Sequence, residues 1–217
     1  MVSECIYYQN MLIPITRFDH CVYRQVMEIP LSTYRRTRSV MDRVDRLESV
    51  LRVETALTSN EIDRVVNACM PSLVPPGTKG AVRGRVFEGI VRDTIMGMNL
   101  PDDEFSVMFG GRRMDASYKD HGITEVPDFV IRNSQKTMYG MVQMDLWTGG
   151  AQLNRGTKYI FHKDHPDTRL LCVVCAPLSL TSPKIHEMLH YAVEHDRVCH
   201  VSGLGRIIHD YFCIPNL

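Results

Sequence analysis

The stretch RLLCVVCAP, residues 169–177, most constrains what this chain can fold into. Leu170 to Cys175 run apolar without a polar interruption. A strand with one wet face alternates, whereas a strand covered on both faces reads as a continuous apolar run. The fold class that follows is α/β, a sheet between helical layers. With 44% of its 217 residues hydrophobic, the chain can fill such a core.

The flanking patterns extend this reading. In YRRTRSVMDRVDRLESVLRVETAL, Val40, Val44, Leu47 and Leu51 recur at helical spacing. Thr58-Ser-Asn-Glu61 has the capping-box pattern and opens a second helix with Ile62, Val65 and Val66 inward. PSLVPPGTKG, residues 71–80, carries three prolines and two glycines. It predicts a boundary between an N-terminal arm and helical extension, 1–70, and a main domain, 81–217. AVRGRVFEGIVRDTIM then reads as a helix, and FSVMF, EVPDFVI and TMYGMVQMDLW as three strands. TGGAQLNRGTKYI is a glycine turn entering a short helix, followed by the central strand. SPKIHEMLHYAVEH is a helix with Ser182 as N-cap and Pro183 at its first position. VCHVSG and RIIHDYF complete the chain as short strands. Residues 1–33 lack a clear period and predict an extended arm or short strand.

Lys and Arg together number 25, as do Asp and Glu, so global charge steers toward no partner. Any nucleic-acid surface must be a local patch. There is no apolar run of about 18 residues to span a membrane, and the N-terminus lacks the pattern of a secretory signal. Seven cysteines at irregular spacing predict reduced thiols and an intracellular location. Cys172 and Cys175 are three apart on a strand and point to opposite faces, so they do not predict a shared zinc.

The acids fall where chemistry is expected. Asp128 follows Pro127 at the start of the second strand, and Asp145 lies late in the third. Alternation puts Gln143, Asp145 and Trp147 on one face, so neighbouring strands can present Asp128 and Asp145 to one point. Mg²⁺ is commonly held by one or two carboxylates plus waters and a phosphate. Such an ion activates water and neutralises charge on a scissile phosphate.

The αβββαβ order of residues 81–180, with VPDFVI and VQMDLW, resembles the PD-(D/E)XK nuclease superfamily, the fold of many restriction endonucleases. The resemblance implies a mixed sheet flanked by helices and a DNA endonuclease using Mg²⁺, with Mn²⁺ as substitute. Many members dimerise to cut both strands, so a homodimer is one arrangement open to this chain. Asp128 matches the family's first acid, Gln143 the second acidic position, and Asp145 the usual place of the lysine. Q-x-D thus stands where D/E-x-K is expected. Either Asp145 has become the second metal ligand, or catalysis is lost and the chain is a DNA-binding or structural module. Lys158, on the helix after the strand, can supply the missing cation. Glu88 falls where many members keep a helix glutamate near the metal. Gly149 and Gly150 allow close approach of a phosphate, and Gln152, Asn154 and Arg155 are polar enough to bind one.

Two further features compete. His186, Glu187 and His190 form His-Glu-x-x-His, the helix pattern of zinc metallopeptidases. Only 27 residues follow His190, too few for half a protease cleft, and no downstream residue suits the third ligand well. A solvated helix edge is the plainer expectation, and zinc is not the expected cofactor. Arg35, Arg36 and Arg38, with Arg43 and Arg46, suggest phosphate contacts on DNA. Asp42, Asp45 and Glu48 interleave with them, so surface ion pairs are the competing account.

Overall fold

A computed structural model describes residues 5–8, 11–14, 19–110, 116–147, 150–176 and 183–214. Two compact units divide it, one formed by 24–86 and the other by 1–23 with 87–217.

The 24–86 unit is helical. It contains α2 (Leu31–Arg35), α3 (Arg38–Glu54), α4 (Ser59–Leu73) and the first half of α5 (Pro76–Gly97). Val40 and Val44 of α3 pack with Ile62, Val66 and Met70 of α4 and Val82 of α5, as their helical spacing predicts. At the start of α4, Glu61 Oε2 accepts from both the backbone N–H of Thr58 (2.8 Å) and its hydroxyl (2.7 Å). The prolines break the chain less than the sequence suggests. Pro71 lies inside α4 and Pro76 opens α5, where its missing N–H costs no bond. The division between units falls within α5, after Val86, and not at 71–80.

The larger unit is α/β. Its N-terminal part holds a hairpin, β1 (Cys5–Tyr8) and β2 (Met11–Pro14), and the first turn of α1 (His20–Met27). A five-stranded mixed sheet follows, built from β3 (Ser106–Phe109), β4 (Phe129–Arg132), β5 (Thr137–Gln143), β6 (Thr168–Val174) and β7 (Val198–Cys199). The strands lie in chain order. The first three are antiparallel neighbours, and β5, β6 and β7 are parallel. α6 (Gly150–Ile160) and α7 (Pro183–Glu194) make the crossovers, and α8 (Val201–Phe212) closes the unit. One sheet face carries Val130, Tyr139, Met141, Leu170, Cys172 and Val174, packed with Tyr159 and Ile160 of α6 and Met188, Leu189 and Ala192 of α7. Residues of the other register, Phe129, Ile131, Met138, Leu171 and Val173, are buried as well. The run around Leu170 is therefore the doubly covered strand it was expected to be.

RIIHDYF is helix and not strand. Val201, Leu204, Ile208 and Tyr211, three or four apart, are all buried, and this spacing outweighs the strand preference of Ile-Ile. No helix among the described residues is long and apolar enough to cross a membrane.

Candidate functional site

The site is built where β4 begins. Asp128 precedes the first residue of β4, and its main chain is bonded on both sides. Its N–H donates to Gly140 O on β5 (2.8 Å), and its carbonyl accepts from Gly110 N (2.7 Å) after β3. A methyl on Gly110 would meet Pro127 O at 3.1 Å and Asp128 O at 3.2 Å, so this approach favours glycine. Across the pair, Gly140 lies under the Phe129 ring, which leaves no room for a Cβ. The Asp128 side chain then does what backbone does elsewhere in the ladder. Its Oδ2 accepts the Val142 N–H at 2.6 Å, a donor that β4 no longer reaches. Among the described residues, Oδ1 makes no hydrogen bond.

Burial is the main cause that pushes the Asp128 carboxyl up to about 6, and the Val142 N–H acts against it. The negative charges of Glu88 and Glu125 push it further up. Glu88, on the exposed side of α5, was expected near the site; Glu125 was not. Glu125 pairs with Arg155 Nε at 3.6 Å. Burial first, then Glu125, raises the Tyr159 phenol above its ordinary range, although the hydroxyl has no hydrogen bond of full geometry. Glu125 thereby links the head of β4 to α6. Its only trace in the sequence is an acid three residues before Asp128, within TEVPD.

Asp145 is placed differently from the expectation. β5 ends at Gln143, so the alternation that would align Gln143, Asp145 and Trp147 stops there. The chain bends because Met144 O accepts two N–H groups from beyond β6, those of Ala176 (2.8 Å) and Cys175 (3.3 Å). The bend is also held by α6, where buried Gly156 touches Leu146 O so closely that any Cβ would clash. Asp145 and Gln143 are both half-buried. On α6, Asn154, Arg155 and Lys158 are exposed, and Gln152 is half-buried with its Oε1 enclosed and unbonded. Trp147 Nε1 is a second enclosed polar atom with no partner. Gly149 lies outside the described residues.

A hard cation suits this chemistry better than a soft one. The donors are carboxylate oxygens, and like charges bear on Asp128, which a cation would relieve. No three His, Cys, Asp or Glu side chains among the described residues form a group that could enclose a metal ion. One or two carboxylates with waters satisfy Mg²⁺, but a structural zinc needs four ligands. Burial pushes the thiols of Cys172 and Cys175 up, the latter to about 12, so neither is poised as a thiolate.

The remaining predicted residues lie elsewhere. His190 Nδ1 is 3.3 Å from Glu194 Oε2 on α7, and Glu187 is exposed. The side chain of His186, and the expected N-cap Ser182, lie outside the described residues. In the helical unit, Arg35 contacts Asn67 Oδ1 (3.4 Å) and Glu48 (3.8 Å). Arg36 and Arg38 instead face a hollow shared with Arg85.

No family model and no curated protein matches the chain. Among solved structures, protein VC1899 from Vibrio cholerae aligns with 90% of this chain at 11% identity and a TM-score of 0.38. The chain spans 57% of that protein's length.

Proposed function

We propose that this chain is a Mg²⁺-dependent endonuclease of the PD-(D/E)XK type that hydrolyses DNA phosphodiester bonds. The observation that carries the reading is the position of Asp128. Its carboxylate sits at the head of β4, anchored by one oxygen to β5, with the other oxygen unengaged among the described residues. The order α5, β3, β4, β5, α6, β6, with an antiparallel trio followed by a parallel crossover, also supports it.

In this reading Asp128 and Asp145 hold the ion, with Glu88 and Gln143 beside them. Mg²⁺ bound there supplies an acidified water and neutralises charge on the scissile phosphate. Lys158 orients the attacking water and steadies the phosphate. Gln152, Asn154 and Arg155, at the start of α6, hold the neighbouring phosphates. Arg155 also balances Glu125, which keeps that acid from adding its full charge beside Asp128.

A second reading has its own support. Gln143 occupies the place of the middle acid, and no three-ligand group is formed among the described residues. A nuclease-fold module that binds DNA without cutting it would look like this.

Cleavage of supercoiled plasmid and of single-stranded oligonucleotide, with Mg²⁺ or Mn²⁺, tests the proposal. The wild type is expected to cut, and Asp128→Asn to lose at least 100-fold in rate, on the order of 3 kcal/mol of transition-state stabilisation. A wild type inert toward every nucleic acid with both metals, yet binding DNA, would favour the non-catalytic module.

A further inference from the structure

The hollow in the helical unit carries a function the acidic site does not explain. It has a volume of about 560 Å³, and Arg36, Arg38 and Arg85 line it with Thr33 and Thr37 over a floor at Val82. The three arginines arrive from separate places. Arg36 ends α2, Arg38 begins α3, and Arg85 lies in α5. The sequence gives no hint that Arg85 joins the other two, 47 and more positions upstream.

No acidic residue lines the hollow. None of the three guanidinium groups has an ion pair or side-chain hydrogen bond among the described residues. Some other arginines of the same unit are engaged. Arg35 reaches Asn67 and Glu48, Arg52 lies 3.8 Å from Glu48, and Arg83 donates to Met27 O at 3.1 Å. Three uncompensated positive charges around one cavity repel each other, and an anion removes that cost. The α3 N-terminus adds to the field. Thr37 does not cap it, because its hydroxyl donates to Tyr34 O (2.8 Å), and the positive end of a 17-residue helix opens at this wall.

The lining also defines what is read. Guanidinium forks match phosphate oxygens, and the exposed Thr33 hydroxyl is a further donor. There is no aromatic ring to stack a base and no carboxylate or amide to read a base edge. The volume is that of a small-ligand site, about 300–1,000 Å³, larger than one phosphate needs. We propose that Arg36, Arg38 and Arg85 form a phosphate-binding cleft that holds consecutive phosphates of a nucleic-acid strand irrespective of sequence. The choice of a nucleic-acid strand as source of the phosphates rests on the endonuclease reading; the phosphate chemistry does not.

The test uses the full chain in EDTA, so that cleavage plays no part. Two labelled single-stranded oligonucleotides of unrelated sequence are titrated across a salt series, with inorganic triphosphate as a competitor. The triple variant Arg36→Ala, Arg38→Ala, Arg85→Ala is expected to bind both strands at least 10-fold more weakly. Its log–log salt slope should be lower by about 2, since each single-strand phosphate contact contributes about 0.7. Arg35→Ala, whose side chain is already engaged, should leave the slope unchanged. The substituted side chains are exposed, so unfolding should begin at the wild-type temperature. A triple variant with wild-type slope and affinity sinks the cleft. Triphosphate binding that needs the three arginines, with strand binding that does not, overturns the nucleic-acid assignment. Strand binding with these properties in a protein that never cuts upholds the cleft and removes only the catalytic reading.

Discussion

Asp128 serves two masters, and they can be separated by substitution. One carboxylate oxygen completes the β5 ladder by taking the Val142 N–H. The negative charge itself is held against burial, Glu88 and Glu125, which is why the group titrates near 6 instead of its usual 3.8. The sign of the effect on stability follows. The folded state keeps the proton to higher pH than the unfolded state, so stability is greatest below about 4, falls between about 4 and 6, and levels off above. After allowance for partial solvent access, the loss is on the order of 2 kcal/mol. Asp128→Asn keeps an acceptor for Val142 and removes the charge. Chemical unfolding at pH 7 should show it more stable than the wild type by about that amount, with the slope between pH 4 and 6 flattened. Asp128→Ala removes the acceptor and strands a buried N–H, which costs about 1–3 kcal/mol. If the asparagine variant is less stable than the wild type at pH 7, the charge is not under strain. Of these facts, Pro-Asp at a strand head was legible in the sequence. Glu125 was not, because an acid three residues earlier on an irregular segment has no period to place it.

At the scale of elements, glycine marks where α6 docks. Gly156 meets Leu146 O, and this contact fixes the bend that carries Asp145. A methyl there must push helix or bend aside, so Gly156→Ala should cost about 1–3 kcal/mol. Gly205, in α8, has open space around its Cβ position. There the same change removes only unfolded-chain freedom and should stabilise by about 0.4–1 kcal/mol. Urea unfolding of both variants measures the contrast, and equal effects at the two positions would show that α6 and the bend are not in tight contact. The same elements show what a sequence can and cannot reveal. The strands around Val130, Tyr139 and Leu171 and the helices α3 and α4 were legible because their apolar spacing is regular. The end of β5 was not. It is set by Met144 O, which is claimed by two N–H groups some 30 residues later, and local pattern holds no record of that. The last helix was misread for a similar reason, since Ile207-Ile208 favours strands locally while burial of Val201, Leu204 and Tyr211 decides for helix.

For the molecule as a whole, 25 basic and 25 acidic residues leave no net field to attract or repel a polyanion. Whatever charge acts on a ligand acts from local clusters: the arginines of the helical unit and the acids around Asp128. The acidic cluster alone should respond to a divalent ion. A cation that binds the folded chain and not the unfolded one stabilises it by about 2.7 kcal/mol at 100 times its Kd. Mg²⁺ or Mn²⁺ should therefore raise the unfolding temperature of the wild type in a saturable way, and Asp128→Asn should abolish the shift. Asp145→Asn should do the same if the bend after β5 delivers its carboxylate to the ion. Lys158→Ala should leave the shift intact and lower the cleavage rate, because the endonuclease reading has its amine act on water or phosphate and not on the metal. Acid should weaken the response, since protonation of Asp128 below about 6 competes with the ion. An Asp145→Asn variant with an undiminished shift would move the second ligand from Asp145 to Glu88 or Glu125, the acids whose charge already reaches Asp128.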